Sequence, residues 1–246
     1  MARFFLPRSK IDGRRGSLAD AELEHLRRVL RLRPGDHIIV FDDSGWEHEA
    51  VILALNDTQG EVEILRSYQP DRESPLAVTL AVALTKGDKM DYVVEKATEL
   101  GVKTIAPFVS RYTVPKLNDR KAVQRAERWQ KIALSAAKQC GRASLPEVLP
   151  VCEFRDLIGK PDATGLKLFF WEKEAEQTLK QVRDREAGVK SVLLVVGPEG
   201  GFTAEEAEMA RVQGYTTVHL GPRVLRAETA ALTALSLVQY LWGDLG

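Results

Sequence analysis

Cysteine is almost absent: Cys140 and Cys152 are the only two in a chain of 246 residues. They are too few for a disulfide framework or a four-thiolate zinc site and too far apart for a CxxC pair, which fits a protein of the reducing cytoplasm. Histidine is scarce as well. His25, His37, His48 and His219 show neither HxxxH nor HExxH spacing, so no helix face offers two imidazoles to one ion and no metal is expected. Long apolar runs are also missing. No stretch approaches the roughly 18 consecutive apolar residues of a membrane span, which argues against an integral membrane protein. The opening Met1-Ala2-Arg3-Phe4-Phe5-Leu6-Pro7-Arg8 holds a short apolar run, against the roughly 7–15 residues of a secretory signal, and export is not expected. Net charge is the last absence: 35 basic side chains balance 35 acidic ones, which argues against a simple nucleic-acid sleeve.

What is present is unevenly spread. Residues 1–35 carry nine basic side chains (Arg3, Arg8, Lys10, Arg14, Arg15, Arg27, Arg28, Arg31, Arg33) against four acids, a local balance of +5. Residues 111–142 carry nine (Arg111, Lys116, Arg120, Lys121, Arg125, Arg128, Lys131, Lys138, Arg142) against two, or +7. Two basic segments on a neutral chain point either to local docking of a polyanion or to solvated helix faces, and charge alone leaves both open.

The length allows one large domain or a small one joined to a medium one. Up to about residue 70 the apolar rhythm is short and strand-like, at residues 37–41, 49–55 and 60–65, separated by Gly, Asp and Asn turns; it predicts a small β-barrel. One helix over about residues 19–30 precedes these strands, with Leu23, Leu26 and Leu30 on one face, and Pro34-Gly35-Asp36 follows it. The polar, proline-containing stretch 68–75 separates two rhythms, which predicts domains over residues 1–70 and 75–246. Beyond it, apolar strands near residues 77–84, 104–109, 167–170, 191–196 and 217–220 alternate with helices near 88–100, 120–139, 174–185, 204–213 and 227–242. That alternation predicts an α/β domain around a mainly parallel sheet.

Two loops of this second region are rich in chemistry. Gly197-Pro198-Glu199-Gly200-Gly201-Phe202 follows a strand and runs into Thr203, which has the S/T-x-x-E spacing of a capping box with Glu206. The glycines allow either close approach of a ligand to backbone amides or merely a tight strand-to-helix connection. The pattern is neither G-x-G-x-x-G nor a P-loop, which removes the best support for dinucleotide and nucleotide-triphosphate enzymes. The second loop, Leu220-Gly221-Pro222-Arg223-Val224-Leu225-Arg226, leads into Ala227-Glu228-Thr229-Ala230. Both loops are expected at carboxyl ends of strands, where open α/β sheets bind ligands. Arg226 and Glu228 are charged residues at a helix start, and the spacing alone leaves open whether they are reactive or merely surface charges.

Taken together, these two segments resemble the paired C-terminal motifs of the RsmE family of ribosomal RNA methyltransferases. Further matches are His25-Leu26-x-x-Val29-Leu30-Arg31 with Gly35-Asp36, Lys86-Gly87-Asp88-Lys89-Met90-Asp91, Glu99-Leu100-Gly101-Val102, Arg128-Trp129 and Gln139-Cys140-Gly141-Arg142. The resemblance implies an N-terminal PUA-like β-barrel, then a SPOUT α/β domain whose C-terminal segment forms a trefoil knot, an exception to the usual rule on connections. It implies S-adenosyl-L-methionine as cofactor, held by Phe170, Trp171, Glu172, Gly197, Pro198, Glu199, Gly200, Gly201, Leu220, Gly221, Val224, Leu225, Arg226, Thr229 and Ala230. It further implies methylation at N3 of a uridine in 16S ribosomal RNA, with the small-subunit RNA, in the assembled subunit, as partner and a homodimer as the working form. Arg226 and Glu228 are the expected catalytic pair, Glu228 taking the proton or orienting Arg226. Arg3, Arg8, Arg27, Arg31, Lys86, Lys89, Gln139 and Arg142 are the expected RNA contacts. A methyltransferase of another RNA site, a non-catalytic RNA-binding module and a nucleotide-dependent small-molecule enzyme stay open as rivals at this point.

Overall fold

The computed structural model describes residues 1–115, 118–159, 165–174 and 177–246. The chain forms two compact units, residues 1–73 with 137–145, and residues 74–136 with 146–246. The first therefore gains a short segment, 137–145, that lies well beyond the expected boundary near residue 70.

In the first unit, β1 (Arg3–Phe5), β2 (Ile11–Asp12), β3 (Arg15–Leu18), β4 (His37–Phe41), β5 (Glu47–Leu55) and β6 (Gly60–Tyr68) form one sheet in the order β1-β4-β5-β6-β3-β2. β1 runs parallel to β4 and the other pairings are antiparallel. Alternate residues Ile38 and Val40, Ala50 and Ile52 turn to one side and meet Phe4, Leu18 and Leu26 in a buried core, as a period of two demands. The helix between β3 and β4 differs from its expected form. It is α-helical only over α1 (Asp20–Glu24) and becomes a π-helix over His25–Val29. Leu30 donates its N–H to the His25 carbonyl, five residues back, and this wider turn carries Leu30 off the stripe of Leu23 and Leu26. Leu30 is accordingly exposed while the other two are buried.

The late segment is fastened by ionic groups. Glu73 accepts from Nε and Nη2 of Arg142 at 3.0 and 2.8 Å and from the backbone amides of Ala143 and Ser144. Lys138 donates to Glu22 at 2.9 Å.

In the second unit, β7 (Ala77–Ala83), β8 (Thr104–Val109), β9 (Glu147–Val148), β10 (Cys152–Glu153), β11 (Leu166–Phe170), β12 (Ser191–Val196) and β13 (Thr216–Val218) make a sheet in the order β10-β8-β7-β12-β11-β13, with β9 also on β8. Among the described residues every strand pairing within it is parallel. Such a sheet is covered on both faces, which explains the near-continuous apolar runs of its strands. Leu80, Val82, Leu194 and Val196 face α2 (Lys89–Glu99) and α7 (Ala227–Trp242). Ala81, Ala83 and Val195 face the other layer with Phe108, Phe169 and Phe202, against α4 (Phe154–Ile158) and α6 (Ala204–Val212). The other helices are α3 (Asp119–Cys140), whose last residues lie in the first unit's 137–145 segment, and α5 (Leu179–Arg185).

Two polar anchors set the helices. Asp91 of α2 accepts from the Trp129 indole at 3.0 Å and from Arg128 Nε at 2.9 Å. Gln239 of α7, fully buried, caps the end of α2: its Nε2 donates to the Leu100 carbonyl at 3.0 Å and its Oε1 accepts from Ser74 Oγ at 2.8 Å. Among the described residues no helix is long and apolar enough to cross a membrane.

Candidate active site

Strands β11, β12 and β13 are adjacent, and the loops leaving their carboxyl ends converge. Residues 170–172, 196–202 and 219–225, with Ala227 and Ala230 of α7, line a cleft holding about 200 Å³ of free volume. Each loop is pinned by its own chemistry. Trp171 N–H donates to the Val218 carbonyl at 3.0 Å, and Gly201 N–H to the Pro198 carbonyl at 2.9 Å, which closes the glycine turn. Thr203 and Glu206 form the capping box expected from their spacing, and Glu206 also accepts from Arg111 N–H at 2.9 Å. In the third loop His219 Nδ1 accepts from Gly221 N–H at 3.0 Å, so the proton of a neutral ring sits on Nε2.

The glycines are explained first by the protein's own side chains. A Cβ on Gly197 would lie 2.9 Å from the Phe202 ring, and one on Gly200 2.8 Å from Tyr112. Gly201 has φ near +68°, and a Cβ there would lie 2.5 Å from a Glu172 carboxylate oxygen. The connection is tight, as one sequence reading has it, and its glycines also line the cleft.

A charged cluster stands at the carboxyl end of β7, on β12's loop and at the start of α7. Lys89 Nζ lies 3.1 Å from Glu199 and 3.3 Å from Glu228, and Lys86 N–H points to Glu199 at 3.3 Å. The hydrogen bond to Glu199, helped by Glu228, holds the Lys89 ammonium above its ordinary range. Burial alone would push Glu199 up; backbone amide hydrogen bonds and the Lys89 cation outweigh it and leave the carboxyl below its ordinary value.

The structure gathers Phe170, Trp171, Glu172, Gly197, Pro198, Glu199, Gly200, Gly201, Leu220, Gly221, Val224, Leu225 and Ala230 around this one cleft, while Arg226 and Thr229 are not among its lining. His219, Pro222, Arg223 and Ala227 line it too; of these only His219 lay outside both motifs, and a lone histidine at a strand end gave no spacing signal. Arg226 is the exposed N-cap of α7. Among the described residues no ion pair joins it to Glu228, because residues two apart on a helix do not face each other; the ionic partner of Glu228 is Lys89. Two of the expected RNA contacts are engaged by the protein itself. Arg142 is buried on Glu73, and Arg3 is drawn to Glu47 while its Nη2 donates to the Arg142 carbonyl at 2.9 Å; both guanidiniums are committed inside the first unit. Arg8 is largely exposed beside Asp42, Arg27 pairs with Asp57, and Arg31 and Gln139 are exposed. Lys116 lies outside the described residues.

The family model for an RNA methyltransferase domain matches residues 72–239, and that for an RNA methyltransferase PUA domain matches residues 18–65. The chain belongs to the ribosomal RNA small subunit methyltransferase E family. Within it, the Bacillus subtilis protein of that name is 34% identical over 228 residues, covering 91% of this chain and 89% of its own length. The Synechocystis sp. protein of that name is 33% identical over 227 residues, 92% of this chain and 73% of its own. In structure, the chain superposes on a ribosomal RNA small subunit methyltransferase E from Neisseria gonorrhoeae, solved bound to S-adenosyl methionine, with TM-score 0.90, 38% identity and coverage of 100% of both chains. The fold is therefore a PUA-like domain followed by the family's α/β methyltransferase domain around a parallel sheet.

Proposed function

We propose that this chain transfers a methyl group from S-adenosyl-L-methionine to N3 of a uridine in 16S ribosomal RNA of the small subunit. The observation that carries the reading is the cleft at the ends of β11, β12 and β13 in a chain that superposes along its full length on a family member solved with that cofactor. The residues present fit such a ligand. The cleft offers side-chain-free backbone at Gly197, Gly200 and Gly201, and the Trp171 indole N–H, buried in its lining, has no hydrogen-bond partner among the described residues. When bound, S-adenosylmethionine supplies a methyl group on a positively charged sulfur.

The protein's own residues supply the remainder. The loops at 197–201 and 220–225, with the 170–172 turn, hold the adenosyl portion. Uridine N3 becomes nucleophilic only when its proton leaves, and the charge then spreads to the flanking carbonyl oxygens. Glu228, beside Lys89, takes that proton. Arg226, an exposed cation on the first residue before α7, stabilises the charge left on the base. Arg8, Arg27, Arg31, Lys86 and Gln139 remain the RNA-facing set. The reading includes a trefoil knot; in its support, β12 lies between β7 and β11 while the chain returns to the far side of β11 as β13, which sets the 197–202 and 219–226 loops together. It includes a homodimer, favoured by the exposed Leu237 and Tyr240 on α7, an assembled subunit as substrate, and work in the cytoplasm.

The test is transfer of labelled methyl to small subunits from cells lacking the protein, with mapping of the modified base. Label at a uridine N3 is the expected outcome. Failure of transfer to subunits and free RNA alike, with no cofactor bound, would overturn the reading.

A further inference from the structure

The first unit holds a second concavity, remote in sequence from the cleft and unused by the mechanism. About 400 Å³ in volume, it is lined by Arg8, Arg14 and Arg66 with His48, Ser67 and Leu65 among its walls, and the lining contains no carboxylate. Three guanidiniums around one hollow repel one another unless an anion joins them, and a concave positive wall concentrates field on whatever enters. Their own partners are few. Arg8 reaches Asp42 at 3.2 Å with a side chain that stays 74% exposed. Arg14 and Arg66 are exposed and form no ion pair among the described residues; Arg66 rests over the Tyr68 ring at 5.6 Å.

His48 forms part of the lining as well. His48 is only 6% exposed, its Nδ1 is hydrogen-bonded to Ser67 Oγ at 2.8 Å, and its Nε2 is buried with no hydrogen-bond partner. The nearest carboxylate, Asp42, lies 3.7 Å from Nε2, beyond a hydrogen bond. Asp42 is itself committed to Ser44 and Arg8. The ring forms part of the wall of the hollow and so reports on whatever enters it. Arginine forks match the paired oxygens of a phosphate, and an apolar wall such as Leu65 suits the body of a nucleotide.

We propose that this hollow is a binding site for a phosphodiester of single-stranded RNA, with Arg14 and Arg66 as its clamp and His48 at its base. The inference rests on the RNA-methylating function proposed above. It gives the PUA-like unit a discrete phosphate pocket in place of a diffuse basic surface.

The test uses the full-length protein and the double variant Arg14→Gln/Arg66→Gln, both exposed positions. Histidine ring resonances are followed by NMR during titration with a short uridine-rich RNA oligonucleotide and, separately, with inorganic phosphate; affinity for a small-subunit RNA fragment is measured across a salt series. In the parent protein the oligonucleotide should shift the His48 resonances at lower concentration than phosphate does. In the variant that shift should vanish, and the slope of log affinity against log salt should shallow by about 1.4, roughly 0.7 for each lost phosphate contact. S-adenosylmethionine affinity should be unchanged. Parent protein that binds RNA with His48 unmoved, or a variant with an unaltered slope, overturns the pocket alone. Parent protein that binds no RNA overturns the RNA reading and the pocket with it, and a response to inorganic phosphate only makes the hollow a free-anion site instead.

Discussion

Lys89 stands between two carboxylates that belong to different loops, and its removal should separate their effects. Lys89→Met is expected to slow methyl transfer more than it weakens cofactor affinity, because Glu228 loses its ionic partner while the bare backbone of the cleft remains; single-turnover rates beside calorimetric cofactor binding check this. Arg226→Ala should lower kcat by about 10²-fold, the usual cost of one donor to a developing oxyanion, with cofactor affinity intact. Glu199 adds a pH dependence of known sign. Its folded-state value lies below the ordinary 4.5, so its contribution to stability is complete above that value and fades as pH falls through the lowered one. Glu199→Gln should therefore flatten the acid limb of the stability curve and leave neutral pH less stable than the parent.

At the scale of elements, caps decide where helices begin and end. Thr203→Ala removes one half of the capping box on α6 and should cost about 1 kcal/mol in urea unfolding. Gln239→Leu strands the Leu100 carbonyl and Ser74 hydroxyl in a buried place, at about 1–3 kcal/mol. The first of these devices was readable in the sequence, since Thr203 and Glu206 are local. The second was not, since Gln239 serves the end of a helix far away in the chain. The same division runs through the fold. The runs of β7, β8 and β12 and the stripe of α7 are long enough to show a period. β2, β9 and β10 have two residues each, too few for any period, and α4 is a single turn hidden among them. The π-turn at His25–Val29 left no trace either, because it depends on one hydrogen bond and not on residue type. In the site, glycine pattern and strand ends exposed the cleft. The pairing of Lys89 with Glu228, the engagement of Arg3 by Glu47 and the burial of Arg142 arise only from tertiary contact.

Across the whole molecule, one parallel sheet with both faces covered leaves only its strand ends for chemistry, and the aromatic layer beneath the glycine turn holds those ends in place. Phe202 packs against Phe169 with ring centroids 4.2 Å apart and is fully buried. Phe202→Ala should cost about 3–5 kcal/mol and, by loosening the turn that it supports, should weaken cofactor binding as well; thermal unfolding with and without cofactor separates the two effects. The first unit has a different dependence. Its Glu22, Glu47 and Glu73 meet Lys138, Arg72, Arg3 and Arg142, and two of those cations belong to a segment made long after the strands. During synthesis the N-terminal strands therefore emerge with the half-buried Glu22 and Glu73 still lacking partners, and the unit cannot reach its final form until the ribosome has translated past residue 145. The chain's order of synthesis and its order of completion are not the same.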